Sequence, residues 1–382
     1  MKKLLLFCNV LVILLASASI SLASATIKIG GLFAVTGPAA FLGEPGKRTL
    51  EMLVADTNAK GGINGKKLEA VIYDTGGDVT KAVQLANKLI KSDKVVAIIG
   101  PSTTGESMAL IPLVTKEKIP LISAAAGIKI TEPVKARRWV FKTPANDHIA
   151  AEKILNHMLK QGQKTFALLT VTDGFGASGR EQLKALAARK GFKIVADETY
   201  GPKDTDMTPQ LTKIRKIKAD AIICWGTNPG PAIITKNIKQ LGISTPLYMS
   251  HGVASKKYIE LAGAEAAEGV MLPAGKLAVI ASLSPKDAQY KLLQEYDASY
   301  RKNFGTEAST FGGYAYDGFM LVTNAVRNNG VTAAQIRDGI EQTSKLVSVS
   351  GVFNMSASDH NGLDLSAFEM VKVSKGNWVL IK

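Results

Sequence analysis

The chain holds four histidines, His148, His157, His251 and His360, and two cysteines, Cys8 and Cys224. Metal chemistry needs ligands at short, fixed spacings, and these histidines show none. Asp74 and Asp78 stand four apart in a turn, too little oxygen for a calcium loop. No Gly-x-Ser-x-Gly elbow supplies a nucleophile. Gly174-Phe175-Gly176-Ala177-Ser178-Gly179 is glycine-rich and opens a helix, but it is neither a P-loop nor a dinucleotide fingerprint and reads as a strand-to-helix loop. Cys224 lies in the apolar run Ala221-Ile222-Ile223-Cys224-Trp225 and reads as a small buried hydrophobe. The residues therefore point away from an enzyme and imply no cofactor and no metal.

The N-terminus reads as an export signal. Lys2 and Lys3 precede the apolar run Leu4–Leu15, and Ala23-Ser24-Ala25 supplies a small-x-small cleavage pattern, so residues 1–25 are expected to be removed. The run is too short to span a bilayer comfortably. Cys8 leaves with it; Leu5-Leu6-Phe7 before it is not a lipoprotein box. The expected compartment is the periplasm. The chain carries 47 Lys+Arg against 32 Asp+Glu, a net charge of +15. These charges are spread along amphipathic segments as solvated helix faces rather than gathered into a run. Export and the absence of a recognition motif exclude nucleic acid as a partner. A positive field speeds encounter with an anionic small molecule.

The elements that must position any site alternate. Strands are expected at Thr26–Phe33, Leu68–Tyr73, Val95–Ile99, Pro120–Ser123 and Trp139–Lys142, with helices at Gly46–Asn58, Thr80–Lys91 and Thr103–Thr115 between them. The pattern then restarts. Strands at Phe166–Val171, Lys193–Ala196, Ala219–Cys224, Leu247–Ser250 and Val270–Pro273 alternate with helices at Asp147–Gln161, Gly179–Lys190, Thr208–Ile217 and Ala232–Leu241. Short apolar strands separated by long helices mean parallel sheets covered on both faces. Helices near Asp287–Asn303, Gly313–Asn328 and Ala333–Glu341 and a strand pair at Phe368–Val373 and Asn377–Ile381 complete the chain. The fold class is α/β, with two doubly wound parallel-sheet lobes. Two such lobes without catalytic groups suggest a binder that closes on something small.

Three stretches carry a resemblance. They are Ile27-Lys28-Ile29-Gly30 leading to Thr36-Gly37-Pro38-Ala39-Ala40-Phe41-Leu42-Gly43; Asn58-Ala59-Lys60-Gly61-Gly62-Ile63-Asn64-Gly65 with Tyr73-Asp74; and Ile98-Ile99-Gly100-Pro101-Ser102-Thr103-Thr104-Gly105 with Ile119-Pro120-Leu121-Ile122-Ser123-Ala124-Ala125-Ala126. Tyr314-Ala315-Tyr316-Asp317 fits the same pattern. In these the chain resembles the branched-chain amino acid binding proteins of ABC importers, which have the type I periplasmic-binding-protein fold. The resemblance implies a three-segment hinge, with one lobe at 26–142 plus 274–345 and the other at 143–273 plus 346–382. Crossovers are expected near Thr143, Pro273 and Ser350. It also implies a small-molecule ligand, an amino acid or related carboxylate, and an inner-membrane ABC permease as partners.

By the same resemblance, Thr104 offers a hydroxyl to a ligand carboxylate at a helix start, where free N–H groups attract anions. Ala125 presents backbone groups, and Phe175 and Phe311 are aromatic walls. Gly105, Ala126, Phe41, Leu42 and Asn228 fall beside them. Thr104 as a simple helix cap, and the two phenylalanines as ordinary core, are the plain alternatives. Three positions depart from the family: Gly127 replaces a hydroxyl residue, Thr227 an aromatic, and His251 the acid that pairs the ligand ammonium. An unpaired buried ammonium costs on the order of 3–5 kcal/mol, or roughly two to four powers of ten in affinity. The expected ligand is therefore an aromatic or aliphatic carboxylic acid without an ammonium, with Trp225, Phe41, Phe175 and Phe311 available to stack on a ring. A sensor that presents its ligand to a membrane chemoreceptor or kinase would share the fold, and a secreted enzyme would need a constellation that is absent.

Overall fold

The computed structural model describes residues 26–381; the expected export signal lies outside them. Strands β1 (Ile27–Phe33), β2 (Leu68–Asp74), β3 (Ala97–Ile99), β4 (Leu121–Ser123) and β5 (Val140–Lys142) form a sheet of order β2-β1-β3-β4-β5. Every pairing in it is parallel. A second sheet takes β6 (Thr165–Val171), β7 (Lys193–Tyr200), β8 (Ala221–Trp225), β9 (Leu247–Met249) and β10 (Met271–Ala274). A short hairpin, β11 (Leu346–Val347) with β12 (Val352–Phe353), precedes β13 (Glu369–Ser374) and β14 (Asn377–Leu380). The second sheet has the order β14-β13-β10-β9-β8-β6-β7, antiparallel at β10–β13 and β13–β14.

Helices α1 (Ala40–Ala59), α2 (Val79–Lys88), α3 (Thr104–Glu117), α4 (Asp147–Lys160), α5 (Gly174–Lys190), α6 (Thr208–Arg215) and α7 (Gly230–Gln240) connect successive strands. After α8 (Lys256–Ala262) and α9 (Ala264–Ala267) come α10 (Tyr290–Phe304), α11 (Thr310–Asn329) and α12 (Ala333–Glu341). One face of the first sheet is closed by α2 and α3 through Ala82, Ala86, Leu110 and Val114, packed with Leu32 and Ile98. Its other face takes α1 and α11 through Leu50, Val54, Ala315 and Phe319. Thr49 of α1 and Tyr296 of α10 share a buried hydroxyl hydrogen bond of 2.8 Å. The second sheet is covered by α4 and α5 on one side and by α6, α7 and α8 on the other.

The chain passes between the two sheets after β5, after β10 and before β13. At the first passage Thr143 Oγ1 donates to the Tyr314 carbonyl at 2.9 Å. Near the third, Asp317 is fully buried and accepts from Ser348 Oγ (2.5 Å), Val349 N (2.7 Å) and Ser350 N (3.0 Å). Asn361 Nδ2 donates to the Pro144 carbonyl at 2.9 Å, tying the first and third passages together.

Among the element boundaries that differ from expectation, two bear on how helices meet the sheets. α1 starts at Ala40 rather than Gly46 and carries Pro45 as its sixth residue, where the missing N–H leaves the Phe41 carbonyl without its i+4 donor. The glycine-rich stretch after β6 is not a loop but the opening of α5, capped by Asp173. A Cβ on Gly179 would lie 2.1 Å from Trp225 Nε1, so glycine lets this helix lie directly on the sheet.

Gly100 closes β3 with φ +101°, and a Cβ there would lie 2.0 Å from the Leu32 carbonyl oxygen. Backbone, unlike a flexible side chain, cannot swing aside. Gly100→Ala is expected to lower stability by about 3 kcal/mol or more, from combined strain and overpacking. Urea denaturation should show the loss; an unchanged midpoint would mean the turn is not held as described.

Candidate ligand cleft

In parallel sheets the C-terminal strand ends and the N-termini of the following helices share one edge. Here the two such edges face each other across a cleft of about 340 Å³. The starts of α1, α3, α5 and α7 all border it, through Ala39, Thr104, Gly174 and Gly230. Helix N-termini carry partial positive charge and unpaired N–H groups, so the cleft favours an anion. Across its mouth the two sides meet. A Cβ on Gly174 would lie 3.4 Å from the Gly105 amide nitrogen, and Lys129 forms an ion pair with Glu181 of α5.

On the first side, Thr103 caps α3 in a full capping box. Its Oγ1 accepts from Glu106 N at 3.3 Å, while Glu106 Oε2 accepts from Thr103 N at 3.1 Å and from Thr103 Oγ1 at 2.7 Å. Thr103, not Thr104, is therefore the cap, and Thr104 is released from that role. Thr104 lines the cleft with Gly105, and their N–H groups occupy the first turn, where no intrahelical acceptor exists. Thr104 Oγ1 accepts from the Gly127 amide at 3.4 Å, which leaves its hydroxyl proton for another partner. Ser102 lines the same wall.

Ala125 and Ala126 also line the cleft, but neither is free on every side. The Ala125 amide donates to Ser123 Oγ at 3.1 Å, and the Ala126 carbonyl accepts from Lys142 Nζ at 2.6 Å. Gly127 sits behind Thr104 rather than on the cleft surface. A Cβ there would lie 2.6 Å from Thr104 Cγ2, so any larger residue at 127 would push Thr104 aside.

Leu42 lines the cleft, whereas Phe41 and Phe311 do not. These two rings meet edge to face at 5.4 Å, and Phe41 borders a separate groove. Helical geometry explains the correction: adjacent residues point to different faces, so Leu42 turns to the cleft and Phe41 away from it. From α11 it is Tyr314, three residues beyond Phe311, that reaches the wall.

The second side begins at Asp173, the carboxylate among the cleft-lining residues described; none of those residues is Lys or Arg. Its Oδ1 accepts from Phe175 N (2.9 Å) and Gly176 N (2.8 Å), and burial pushes its pKa up. Phe175 lines the cleft. Trp225 packs behind it, rings 5.7 Å apart, fully buried and off the cleft surface, so it offers no stacking face to a ligand. Thr227 and Asn228 line the wall before α7.

His251 lies on the cleft wall, with its ring edge-on to Phe175 at 5.5 Å. Burial, with a smaller contribution from the Lys142 charge, pushes its pKa down to about 3, so the ring is neutral. Lys142 itself is fully buried at the end of β5, and burial pulls its pKa down to about 7.

Tyr200 is a wall residue that the sequence did not suggest. The sequence places the end of strand β7 at Ala196, before the polar run Asp197-Glu198-Thr199. It continues to Tyr200 because β7 is the sheet edge, where polar side chains face water. Among the described residues no group of three or more His, Cys, Asp and Glu is placed to hold a metal ion. No described helix is long and apolar enough to cross a membrane.

Comparison with known proteins places this architecture. Residues 26–377 match the model of the periplasmic binding protein family. The leucine-, isoleucine-, valine-, threonine- and alanine-binding protein of Pseudomonas aeruginosa is 28% identical over 258 residues, which span 66% of this chain and 68% of that protein. An extracellular ligand-binding receptor from Rhodopseudomonas palustris superposes with a TM-score of 0.88 at 29% identity, covering 94% of this chain and all of the other. A branched-chain amino acid transporter substrate binding protein from Streptococcus pneumoniae, solved in complex with isoleucine, gives a TM-score of 0.81 at 28% identity, with 93% and 98% covered. The chain belongs to the periplasmic binding protein family, in the group of the branched-chain amino acid binding proteins.

The neutral His251 makes stability acid-sensitive. Its folded pKa lies below the unfolded value, so the unfolded chain takes up a proton that the folded chain refuses. Stability from this residue is present above about pH 6.5 and is lost as pH falls toward 3. Between pH 7 and pH 5 the loss is about 2 kcal/mol. His251→Gln, which does not titrate, should lose less stability than the wild type over that interval in paired thermal melts. Parallel loss in both would mean that His251 ionises freely.

Proposed function

We propose that the protein is a periplasmic receptor that captures a small carboxylate in the cleft and delivers it to an inner-membrane ABC permease. The carboxylate lies at the α3 start, held by the Thr104 hydroxyl and the first-turn N–H groups. The observation that carries this reading is the release of Thr104 from capping, which points a hydroxyl and a helix N-terminus into a cleft without Lys or Arg. The lobes are 26–142 plus 274–345 and 143–273 plus 346–382, and they close on the ligand about the three crossovers. Closure follows because a ligand that touches both walls binds the closed form better.

The ligand lacks an ammonium. Opposite the anchor stands neutral His251, and the Asp173 oxygen nearest the helix already accepts two backbone N–H groups. A second reading, an amino acid ligand, is favoured by the remaining Asp173 oxygen and by the relatives' ligands, which include isoleucine. It requires Asp173 to serve an ammonium while capping α5.

Thr103 and Thr104 provide the test, with benzoate and 4-methylpentanoate as probes. Thr104→Ala removes a hydrogen bond to a charged group and should weaken binding roughly ten- to a hundredfold with little change in melting. Thr103→Ala should do the reverse, costing about 1 kcal/mol of stability as a lost cap and leaving affinity nearly unchanged. Calorimetry and thermal melts on both variants read the outcome. Undiminished binding by Thr104→Ala would remove the anchor.

A further inference from the structure

We propose that Tyr200, Asn228 and His251 form a distal subsite that selects a carboxylic acid carrying a neutral hydroxyl or carboxamide at its far end. The inference rests on the carboxylate reading of the Thr104 end and extends it to the other end of the ligand.

The three residues come from separate strand ends. Tyr200 closes β7, Asn228 lies in the loop after β8, and His251 follows β9. The order β9-β8-β6-β7 brings these ends to one edge. Tyr200 lies against the loop that carries Asn228: a Cβ on Gly226 would be 2.1 Å from Tyr200 Oη, and one on Gly230 would be 2.5 Å from Tyr200 Cε2. On the other side of Gly226, a Cβ on Gly252 would be 2.9 Å from the Gly226 carbonyl oxygen, which places His251 and its neighbour there.

All three line the cleft and are at most 5% exposed. Tyr200 Oη, both polar atoms of Asn228 and both ring nitrogens of His251 have no hydrogen-bond partner in the protein. Tyr200 Oη also neighbours the buried Cys224 thiol, a weak donor and acceptor. Buried polar atoms are almost always paired, so five orphans on one cleft wall call for an external partner.

Their chemistry describes that partner. The Tyr hydroxyl, the Asn amide and a neutral imidazole each offer a donor and an acceptor. A hydroxyl or carboxamide, which does both, can accept from one of them and donate to another. An ammonium only donates, and would leave the Asn amide N–H groups and the imidazole N–H without a partner. A second carboxylate only accepts, and no Lys or Arg lines the described cleft to balance it.

Calorimetry with two matched pairs tests the inference: benzoate against 4-hydroxybenzoate, and hexanoate against 6-hydroxyhexanoate. In at least one pair the hydroxylated acid should bind about tenfold tighter or more, because the unhydroxylated one leaves buried polar groups unpaired. Tyr200→Phe, which removes a single oxygen, and Asn228→Ala should each reduce that preference about tenfold, by weakening the hydroxylated acid, tightening the plain one, or both. Thermal melts confirm that both variants are folded. Equal affinities within both pairs, or a preference that survives both substitutions, would overturn the subsite and leave the carboxylate anchor standing. Binding of none of the four acids would overturn the carboxylate reading and the subsite with it.

Discussion

Parallel strand pairing is the constraint from which the rest of this molecule follows. It obliges each connecting helix to run antiparallel to its strands, so helix N-termini gather where strands end. Two sheets, the first parallel and the second parallel from β10 to β7, arranged edge to edge then surround one cleft with the positive ends of α1, α3, α5 and α7. The anion preference is thus built into the backbone before any side chain is chosen. Side chains refine it: Thr103 satisfies the α3 cap and leaves Thr104 for the cleft, while Asp173 caps α5 from the opposite wall.

Beneath the cleft the two sides meet through buried polar groups rather than apolar packing alone. Lys142 ends β5 and donates to the Ala126 carbonyl, so the first crossover grips the loop that forms the cleft floor. Asp147, one turn into the second side, is buried and accepts from Ile128 N at 3.2 Å. Asp317 holds the Ser348–Ser350 segment in the same way. Lys142, Asp147 and Asp317 find these partners in one arrangement of the chain, which fixes the geometry of the crossovers.

Much of the fold was legible because periodicity and length distinguish buried parallel strands from amphipathic helices, as β1, β6 and α12 show. Polar alternation hid the end of the edge strand β7 and with it Tyr200. Glycines that permit close helix–sheet packing passed for a loop at the start of α5. Thr104, Phe175, Asn228 and His251 line the cleft. Phe41, Phe311 and Gly127 do not, because one helical step or one layer of packing separates facing the ligand from supporting a residue that does. The exchange of roles between Thr103 and Thr104 depends on which hydroxyl Glu106 engages, a geometric choice that residue types alone leave open.

The central claim is that this cleft anchors a carboxylate and has no place for an ammonium. Titration calorimetry of the wild-type protein with leucine and with its des-amino counterpart, 4-methylpentanoate, at pH 7 compares ligands that differ in that group alone. The account predicts that 4-methylpentanoate binds at least about a hundredfold more tightly, the consequence of leaving a buried ammonium unpaired. Tighter binding of leucine would contradict it and would assign the ammonium to the free oxygen of Asp173.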